Sequence, residues 1–371
     1  MTRLILVGAG HAHLVALRAL ADDPPPNTSI VLISPERFAT YTGMVPGYLA
    51  GQYELRQLQI DAVALAARAG AEFVASRVDA IDSNRGVLDL HPRGEQAYDV
   101  VSFDIGAEPA ASDRVRDHSR TVTVKPIDVA TRKLSTELDR PGPPGGRSVV
   151  IVGAGTGGVE LAFVVAARLR SEPNSHVTIC DRADRPAIER GERTARAIER
   201  AFEQRGIRFL GCVEIAAVET EAVVFGDGTR LTADLVVWAT GAAAPTLFAA
   251  AGLPVDDRGF VQIDQELRVA GTDHMFAAGD CASMPSHPAL AKAGVIAVRQ
   301  GAILAANLPA ALARRPLRRF TPQRSFLSLL NTGDGAAILS YRGFAWHSRA
   351  VWWLKDRIDR GFVRRHDPLA E

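Results

Sequence analysis

The sequence predicts an α/β fold with two Rossmann-like βαβ units built on parallel sheets, followed by a short hairpin and a helix. Two segments resemble each other, residues 4–20 (LILVGAGHAHLVALRAL) and residues 149–169 (VVIVGAGTGGVELAFVVAARL). Each contains an apolar β-branched run, a Gly-x-Gly turn and an apolar pattern at helical spacing. Each also precedes another short strand, at 30–34 and 177–180. The repeated βαβ pattern predicts parallel sheets that are covered by helices on both faces.

Length and composition limit the classes of protein to which the chain can belong. Its 371 residues suffice for two or three domains, and 47% hydrophobic with 23% charged residues excludes wholesale disorder. The net charge of +1 argues against a nucleic-acid partner. Three distant cysteines without a CxxC pair predict no metal site. Together with the absence of a recognisable signal peptide, they favour a cytoplasmic location.

The first glycine turn, GAGHAH at 8–13, departs from the usual GxGxxG pattern at its third position. Its first glycine permits a tight turn, and its second lets the backbone approach a diphosphate at the start of the helix. His11 or His13 can bond a phosphate, or both can fill the space of the missing glycine. We favour packing plus a phosphate contact over catalysis. At the end of the next strand, Ser34 stands where a ribose-binding acid is usual, and Ser34 or Glu36 can bond a ribose hydroxyl.

The second glycine turn, GAGTGG at 153–158, satisfies GxGxxG in full. Asp181 follows the next strand, where an acid accepts a hydrogen bond from a ribose 2′-hydroxyl and repels a 2′-phosphate. This favours NADH over NADPH, although the neighbouring Arg182 can accommodate such a phosphate. A third fragment, TDHMFAAGD at 272–280, predicts a strand ending at Gly279 and Asp280, whose carboxylate can accept from a polyol hydroxyl.

With these motifs the chain resembles the two-dinucleotide-binding-domain flavoproteins, the pyridine nucleotide-disulfide oxidoreductase superfamily. The resemblance implies FAD on the first unit and NAD(P)H on the second, in a glutathione reductase-like arrangement. VVWATG at 236–241 resembles the strand that returns to the FAD domain, and DVVSFDIGAEP at 99–109 resembles the earlier crossover. The implied domains are an FAD-binding domain of residues 1–112 and 240–316, an NAD(P)H-binding domain of residues 113–239, and a small C-terminal extension of residues 317–371.

The resemblance also implies which residues bind the cofactors. Those implied for FAD are Gly8, Gly10, His11, His13, Ser34, Arg37, Thr42, Gly43, Gly106, Gly241, Gly279 and Asp280, the last on the ribityl chain. Those implied for NAD(P)H are Gly153, Gly155, Gly158 and Asp181.

Two differences from the disulfide-containing members of the superfamily indicate which of its subfamilies the chain resembles. Residues 37–51 carry no cysteine pair, and the residues after 308 are too few for a full dimerisation domain, so a thiol relay is not expected. The chain is more similar to type II NADH dehydrogenases. It is most similar to the subfamily found beside, or fused to, selenide water dikinase. The phrases that carry this likeness are GAGHAHL, TYTGMVPGYLAG, KAGVIAVRQG, TPQRSFLSLLNTGDGAAI and LKDRIDRGF.

The resemblance implies an FAD-dependent NAD(P)H oxidoreductase that passes hydride to flavin and electrons to an acceptor, for which a quinone is one candidate. Glu160 corresponds to a family acid that often faces a lysine, and Lys125 and Lys292 are the candidate partners. Lys292, near the start of a helix expected at 288–308, can stabilise reduced flavin. The alternatives are a redox-sensing or partner-binding flavoprotein, or a sulfide or selenide oxidoreductase that uses Cys281.

The C-terminal extension is basic and aromatic, and it predicts a hairpin at 320–344 and an amphipathic helix at 347–364. Val351, Leu354, Ile358 and Phe362 share one helical face, with basic residues on the rest. Such a helix either lies in a membrane interface, which suits a quinone acceptor on the inner face of the membrane, or packs on the FAD domain or on a second copy. The oligomeric state stays open.

Overall fold

The computed structural model of the chain describes residues 1–111, 115 and 118–370. The strands of its three principal sheets are β1 (Thr2–Val7), β2 (Thr28–Ser34), β3 (Glu72–Ala75), β4 (Val100–Phe103), β5 (Thr121–Thr123), β6 (Ser148–Val152), β7 (His176–Cys180), β8 (Arg208–Leu210), β9 (Leu235–Trp238), β10 (Met275–Ala277), β11 (Ser328–Asn331), β12 (Ala337–Tyr341) and β13 (Phe344–Ser348). The α-helices are α1 (His11–Asp22), α2 (Val45–Leu49), α3 (Ala62–Arg68), α4 (Ile127–Asp139), α5 (Thr156–Arg168), α6 (Glu192–Glu203), α7 (Leu247–Ala250), α8 (Gly294–Leu312) and α9 (Arg349–His366).

Shorter strands form small accessory sheets beside these elements. The three-stranded ones are Ala80–Asp82, Val87–Leu90 and Gly94–Ala97, and Ile215–Val218, Ala222–Phe225 and Arg230–Thr232. The two-stranded ones pair Phe38–Thr40 with Gln59–Asp61, Glu108–Pro109 with Ala242–Ala243, and Val261–Gln262 with Ala282–Ser283.

The first principal sheet is parallel throughout and has the strand order β10-β4-β1-β2-β3. Its central strand β1 is apolar and buried from Leu4 to Val7, as a strand covered on both faces should be. Because all five strands run the same way, the ends of β1, β2, β4 and β10 meet at one edge. Ser34 is the last residue of β2 at that edge, and the glycine turn at 8–10, Asp104 and Gly279 follow β1, β4 and β10 there.

Helices α1 and α8 pack closely beside this sheet. A side chain at Gly301 of α8 would place its Cβ 2.5 Å from the carbonyl oxygen of Ala12, so the approach requires glycine. Among the described residues, α8 is the one helix whose length and composition would suffice to cross a membrane. Its inner face, which includes Leu304 and Leu308, is fully buried, and packing against α1 accounts for its apolar character.

The second principal sheet is also parallel and has the order β5-β9-β6-β7-β8. The turn after β6 leads directly into α5. A Cβ at Gly158 would lie 1.9 Å from the carbonyl oxygen of Gly153, which explains the third glycine of this motif. The predicted α/β fold with two parallel-sheet units is therefore confirmed.

The C-terminal extension forms an antiparallel sheet, β11-β12-β13, and then α9, whose first turn is capped by the Ser348 hydroxyl. The predicted helix is present, and Val351 and Phe362 of its predicted apolar face are buried, but Ile358 of that face is not. Ile358 is 44% exposed, whereas Lys355 is only 6% exposed because it is paired inside the protein. The buried face therefore combines apolar residues with an internal ion pair.

Candidate cofactor and active site

The first glycine turn joins β1 to α1 and is shaped to approach other backbone closely. Gly8 has a φ of +92°, and a Cβ there would lie 2.4 Å from the carbonyl oxygen of Asp104. Gly10 is the N-cap of α1 and supplies no capping side chain. Within the described chain, the N–H groups of Gly10 and His11 have no hydrogen-bond partner. These free donors at a helix N-terminus fit the diphosphate of a dinucleotide.

The acid Asp104 at this turn was not anticipated as a site residue. It directly follows β4, is almost fully buried, and its Oδ2 accepts hydrogen bonds from the N–H groups of Ala12 (2.7 Å) and His13 (3.1 Å). Burial raises the pKa of the Asp104 carboxyl to about 7. The signal available in the sequence was an acid at the end of an otherwise apolar strand.

His13 explains how the turn tolerates the absence of its third glycine. Its Nδ1 lies 2.6 Å from the carbonyl oxygen of Gly8, and its Nε2 lies 2.8 Å from Oγ of Ser102. Burial lowers the pKa of His13 to about 4, so the ring is neutral, Nδ1–H donates to Gly8 and the Ser102 hydroxyl donates to Nε2. Both nitrogens are used, so the expected phosphate contact of this side chain is wrong and the packing role is correct.

His11 also packs through its ring. The ring centroid lies 5.4 Å from that of Tyr41 and 6.0 Å from that of Phe362, and Nε2 lies 3.5 Å from the Thr42 hydroxyl. Burial lowers the pKa of His11 to about 4. The backbone N–H of His11, rather than its ring, is therefore the group suited to a phosphate contact.

At the end of β2, the predicted site residues Ser34 and Arg37 bond mainly to protein. The Ser34 hydroxyl donates to the carbonyl oxygen of Glu36, which leaves its lone pairs as acceptors for a ribose hydroxyl. Arg37 forms a 2.8 Å ion pair with Asp61. That contact holds the loop after β2 against the cap of α3, because Asp61 also accepts from the N–H of Ala64.

Gly279 and Asp280 follow β10 as predicted. Gly279 has a φ of +69°, and its N–H donates to Oε1 of Gln300. Asp280 is paired with Lys125, with 2.6 Å between Nζ and Oδ2. Lys125 therefore bridges the two parallel sheets at the predicted ribityl-binding carboxylate, and its predicted pairing with Glu160 is wrong.

Lys292 is likewise not a partner of Glu160. The helix expected to begin at 288 begins at Gly294, so Lys292 lies in the extended segment before it. The Lys292 ammonium donates to the carbonyl oxygen of Ala282 and stands 3.8 Å from the ring centroid of Phe260. Desolvation by burial lowers the pKa of Lys292. A carbonyl and an aromatic face thus hold this cation where a carboxylate was expected.

The cation that faces Glu160 is Lys355 of α9. Glu160 accepts a 2.8 Å hydrogen bond from the N–H of Asn331, and burial raises its pKa to about 7 while the charge of Lys355 opposes the rise. Lys355 donates to the carbonyl oxygen of Gly43 and to Asp359, both at 2.8 Å. Burial alone would lower the pKa of Lys355, but the charges of Glu160 and Asp359 raise it.

The Tyr41 hydroxyl completes this cluster by donating to Asp359 at 3.2 Å. We call the set Glu160, Lys355, Asp359 and Tyr41 the buried charge network. It connects α5 and α9 to the loop that contains Thr42 and Gly43, the residues predicted to line the flavin. The buried charge network could not be predicted from the sequence, because helical periodicity places Lys355 on the outer face of α9.

The second glycine turn opens on a cavity of about 1250 Å³. A Cβ at Gly155 or Gly157 would meet no atom within 4 Å, so the start of α5 is accessible to a ligand. Asp181 lines the cavity, and its carboxylate accepts from the N–H groups of Ala154 and Ala183. Asp181 thus braces the turn while retaining lone pairs for a ribose hydroxyl. Gly241 and Arg182 also line this space, as do residues 322–326 and 340–343 of the C-terminal extension.

All three cysteines are free thiols, of which Cys180 and Cys281 are buried and Cys212 is exposed. Cys281 is fully buried, and its sulfur lies 3.2 Å from the carbonyl oxygen of Ala278. Burial raises the pKa of Cys281 to about 12, so the group is a thiol rather than a nucleophilic thiolate at neutral pH.

A family model described as pyridine nucleotide-disulphide oxidoreductase matches residues 2–301, which include both glycine turns and the Gly279-Asp280 segment. The chain belongs to this family. Its relatives include the NADH dehydrogenase-like protein YutJ of Bacillus subtilis, 25% identical over 289 residues, which span 78% of this chain and 79% of YutJ.

Solved structures share the fold over nearly the whole chain. The sulfide:quinone oxidoreductase of Aquifex aeolicus superposes with a TM-score of 0.83 at 16% identity, covering 99% of this chain and 92% of that one. NDH2 of Plasmodium falciparum in complex with NADH superposes with a TM-score of 0.83 at 14% identity, covering 98% and 97%.

The protein is therefore an FAD-dependent NAD(P)H oxidoreductase that passes electrons to an acceptor. The residues at the two turns fit this assignment, since both helix N-termini offer free N–H groups to a diphosphate.

Proposed function

We propose that the protein oxidises NADH and delivers the electron pair to a quinone. The observation that supports a quinone is the buried charge network beside Thr42 and Gly43. Quinone reduction consumes two electrons and two protons, whereas an iron–sulfur acceptor takes single electrons and no proton. A carboxyl group such as Glu160, with a pKa of about 7, is half protonated at neutral pH and can both hold and release a proton.

Bound FAD supplies the redox chemistry of such an enzyme, because its flavin accepts a hydride and releases electrons to an acceptor. The chain supplies binding, orientation and protons. The N–H groups of Gly10 and His11 would hold the FAD diphosphate, and those of Gly155 and Thr156 would hold the diphosphate of NADH. Glu160 would hold a proton, and Lys355 would stabilise the carboxylate after that proton has left.

An anaerobic two-step experiment tests the acceptor. NADH first reduces the flavin, and the absorbance of oxidised flavin is then followed after addition of a short-chain quinone or of an oxidised iron–sulfur protein. We expect rapid reoxidation by the quinone alone. In Glu160→Gln we expect unchanged reduction by NADH and reoxidation by quinone slowed about 10²-fold or more, the usual contribution of a positioned acid or base.

Glu72→Gln is the matched control, because Glu72 is an exposed acid at the distal end of β3. Faster reoxidation by the iron–sulfur protein, or quinone kinetics in the Glu160 variant equal to those of the control, would refute the proposal. NADPH in the first step tests the nucleotide preference inferred from Asp181.

We also propose that the C-terminal extension contacts the inner face of the membrane. Trp353 of α9 is 60% exposed and Ile358 is also exposed, and so are Phe344 and Trp346 of β13, the strand that precedes α9. The guanidinium of Arg357 lies 5.8 Å from the Trp353 ring, so aromatic and basic groups share this surface. An amphipathic surface of this kind favours an anionic lipid interface, where a quinone would be available.

Co-sedimentation with vesicles of phosphatidylcholine, with and without phosphatidylglycerol, tests this contact. We expect binding that requires the anionic lipid and that falls in the double variant Trp353→Ser and Ile358→Ser. Val129→Ser removes an exposed apolar side chain from a different element and serves as the control. Equal sedimentation of all three proteins would contradict the membrane contact.

A further inference from the structure

Two glycines predicted to face FAD surround a carboxylate of the protein itself. A Cβ at Gly10 would lie 2.4 Å from Oδ2 of Asp104, and a Cβ at Gly279 would lie 2.4 Å from its Oδ1. Both turns therefore need glycine in order to admit Asp104. Its Oδ2 binds two N–H groups of α1, whereas its Oδ1 has no hydrogen-bond partner within the described residues. Oδ1 lies in the space between the first turn and the Gly279-Asp280 segment.

An ionised Asp104 would oppose the binding of a diphosphate at this turn. Like charges a few ångströms apart in a buried site repel each other, and one of them is then favoured in its protonated form. Neither neighbouring lysine is arranged to neutralise Asp104, since Lys125 is paired with Asp280 and Lys292 is held by Ala282 and Phe260.

The binding of a diphosphate beside Asp104 thus favours the uptake of one proton, and the other titratable groups around Asp104 are not the ones that take it up. His11 and His13 of α1 have pKa values lowered by burial to about 4 and are neutral. Cys281, in the turn after β10, has a pKa raised by burial to about 12 and keeps its proton. Asp280 is held in its ion pair with Lys125. Between pH 6 and pH 9, the proton that accompanies the diphosphate is therefore best assigned to Asp104.

We propose that Asp104 is a cofactor-binding residue that carries a proton when FAD is bound and donates it as a hydrogen bond from Oδ1 to a phosphate oxygen. The proposal rests on FAD occupying the first turn. One proton is taken from solvent for each FAD bound, and Oδ2 continues to accept from Ala12 and His13. A carboxyl group whose pKa already stands at about 7 through burial requires little further shift to take up this proton at neutral pH.

The dissociation of FAD from the holoenzyme tests the proposal. The fluorescence of released FAD after dilution gives the Kd between pH 6 and pH 9. Because the bound state holds one proton more, we expect the Kd of the native protein to rise about tenfold per pH unit above pH 7. Asp104→Asn presents an N–H in place of Oδ1–H and keeps an oxygen for the two N–H groups of α1. We expect its Kd to be independent of pH and, at pH 9, about 10²-fold below that of the native protein.

Asp234→Asn is the matched control, since Asp234 also accepts from a backbone N–H, that of Ser148, but lies in the second unit. We expect this control to keep the native pH dependence. Infrared spectra of the native holoenzyme at pH 8 should contain the carbonyl stretch of a protonated carboxyl that is absent from Asp104→Asn. The infrared measurement decides the proposal even if the Asn variant folds poorly, because it can be made on the native protein alone. At pH 8 the band of the protonated carboxyl should be present with FAD bound and should be lost when FAD is released.

A native Kd that does not change with pH, or an Asn variant with the native slope, would overturn the assignment to Asp104 while leaving FAD binding intact. A native protein that binds no FAD at any pH would instead overturn the cofactor site on which the proposal rests. The acceptor proposal is tested separately, because it depends on reoxidation and not on the Kd of FAD.

Discussion

Replacement of Lys355 by methionine should destabilise the protein strongly, although the two side chains have nearly the same length. The side chains of Lys355 and Asp359 are 7% and 6% exposed, and their charged atoms are 2.8 Å apart. Lys355→Met leaves Asp359 buried without its cation and leaves the carbonyl of Gly43 without its donor. Removal of one partner of a buried pair costs about 3–5 kcal/mol.

The double variant Lys355→Met and Asp359→Leu should recover much of this loss. Replacement of both groups removes the uncompensated charge of Asp359, and such exchanges are often neutral or stabilising. The remaining costs are the lost partners of the Tyr41 hydroxyl and of the Gly43 carbonyl, about 1–3 kcal/mol for each unsatisfied buried group, and the loss of the cation that faces Glu160. Arg85→Met is the surface control, because Arg85 and Glu95 are more than half exposed and should contribute at most about 1 kcal/mol.

Urea unfolding at pH 7, followed by circular dichroism, gives the free energy of unfolding of each variant. The expected order of loss is Lys355→Met, then the double variant, then Arg85→Met. A single variant that loses less than about 1 kcal/mol, or a double variant no more stable than the single, would refute the assignment of a buried, mutually dependent pair.

Further predictions concern protons, thiols and the second glycine turn. Because burial raises the pKa of Glu160 to about 7 and its protonated form is the donor, quinone-dependent reoxidation should slow as the pH rises through 7, and stopped-flow absorbance should find no such change in Glu160→Gln. Iodoacetamide at pH 7 should alkylate the exposed Cys212 before the buried Cys281, and peptide mass spectrometry measures the labelling of each. Labelling of Cys281 as early as that of Cys212 would contradict the burial of Cys281. Gly158→Ala should lower the free energy of unfolding by about 1–3 kcal/mol, because its Cβ would overlap the backbone, and it should weaken NADH binding in fluorescence titrations. Gly157→Ala has open space around its Cβ and should leave the free energy of unfolding unchanged. Equal effects of the two substitutions would contradict this packing.

Local patterns predicted the framework of the molecule because its elements have local causes. The turns at residues 8–10 and 153–158 follow from the sequence, since their glycines and the flanking apolar runs lie within a few residues of each other. The predicted α9 also formed, because its helical spacing and its Ser348 cap are local.

The contacts within the site depend on residues far apart in the sequence, and there the predictions failed. The cation facing Glu160 comes from α9, and the partner of His13 is Ser102, 89 positions away. Periodicity assigns charged residues of a helix to its outer face and cannot identify the one that meets a buried carboxylate. Asp104 was missed for the same reason, since its role depends on the position of α1.

The contact between Lys355 and the carbonyl oxygen of Gly43 spans 312 positions, and this separation has a consequence for synthesis in the cell. At about 5–20 residues per second, Gly43 leaves the ribosome roughly 15–60 s before the lysine that caps its carbonyl. For that interval the nascent chain carries a flavin-side loop without its α9 cover. The second unit can fold meanwhile, but the charge network forms only after α9 has left the ribosome, so that the synthesis of α9 determines when the protein becomes able to support redox turnover.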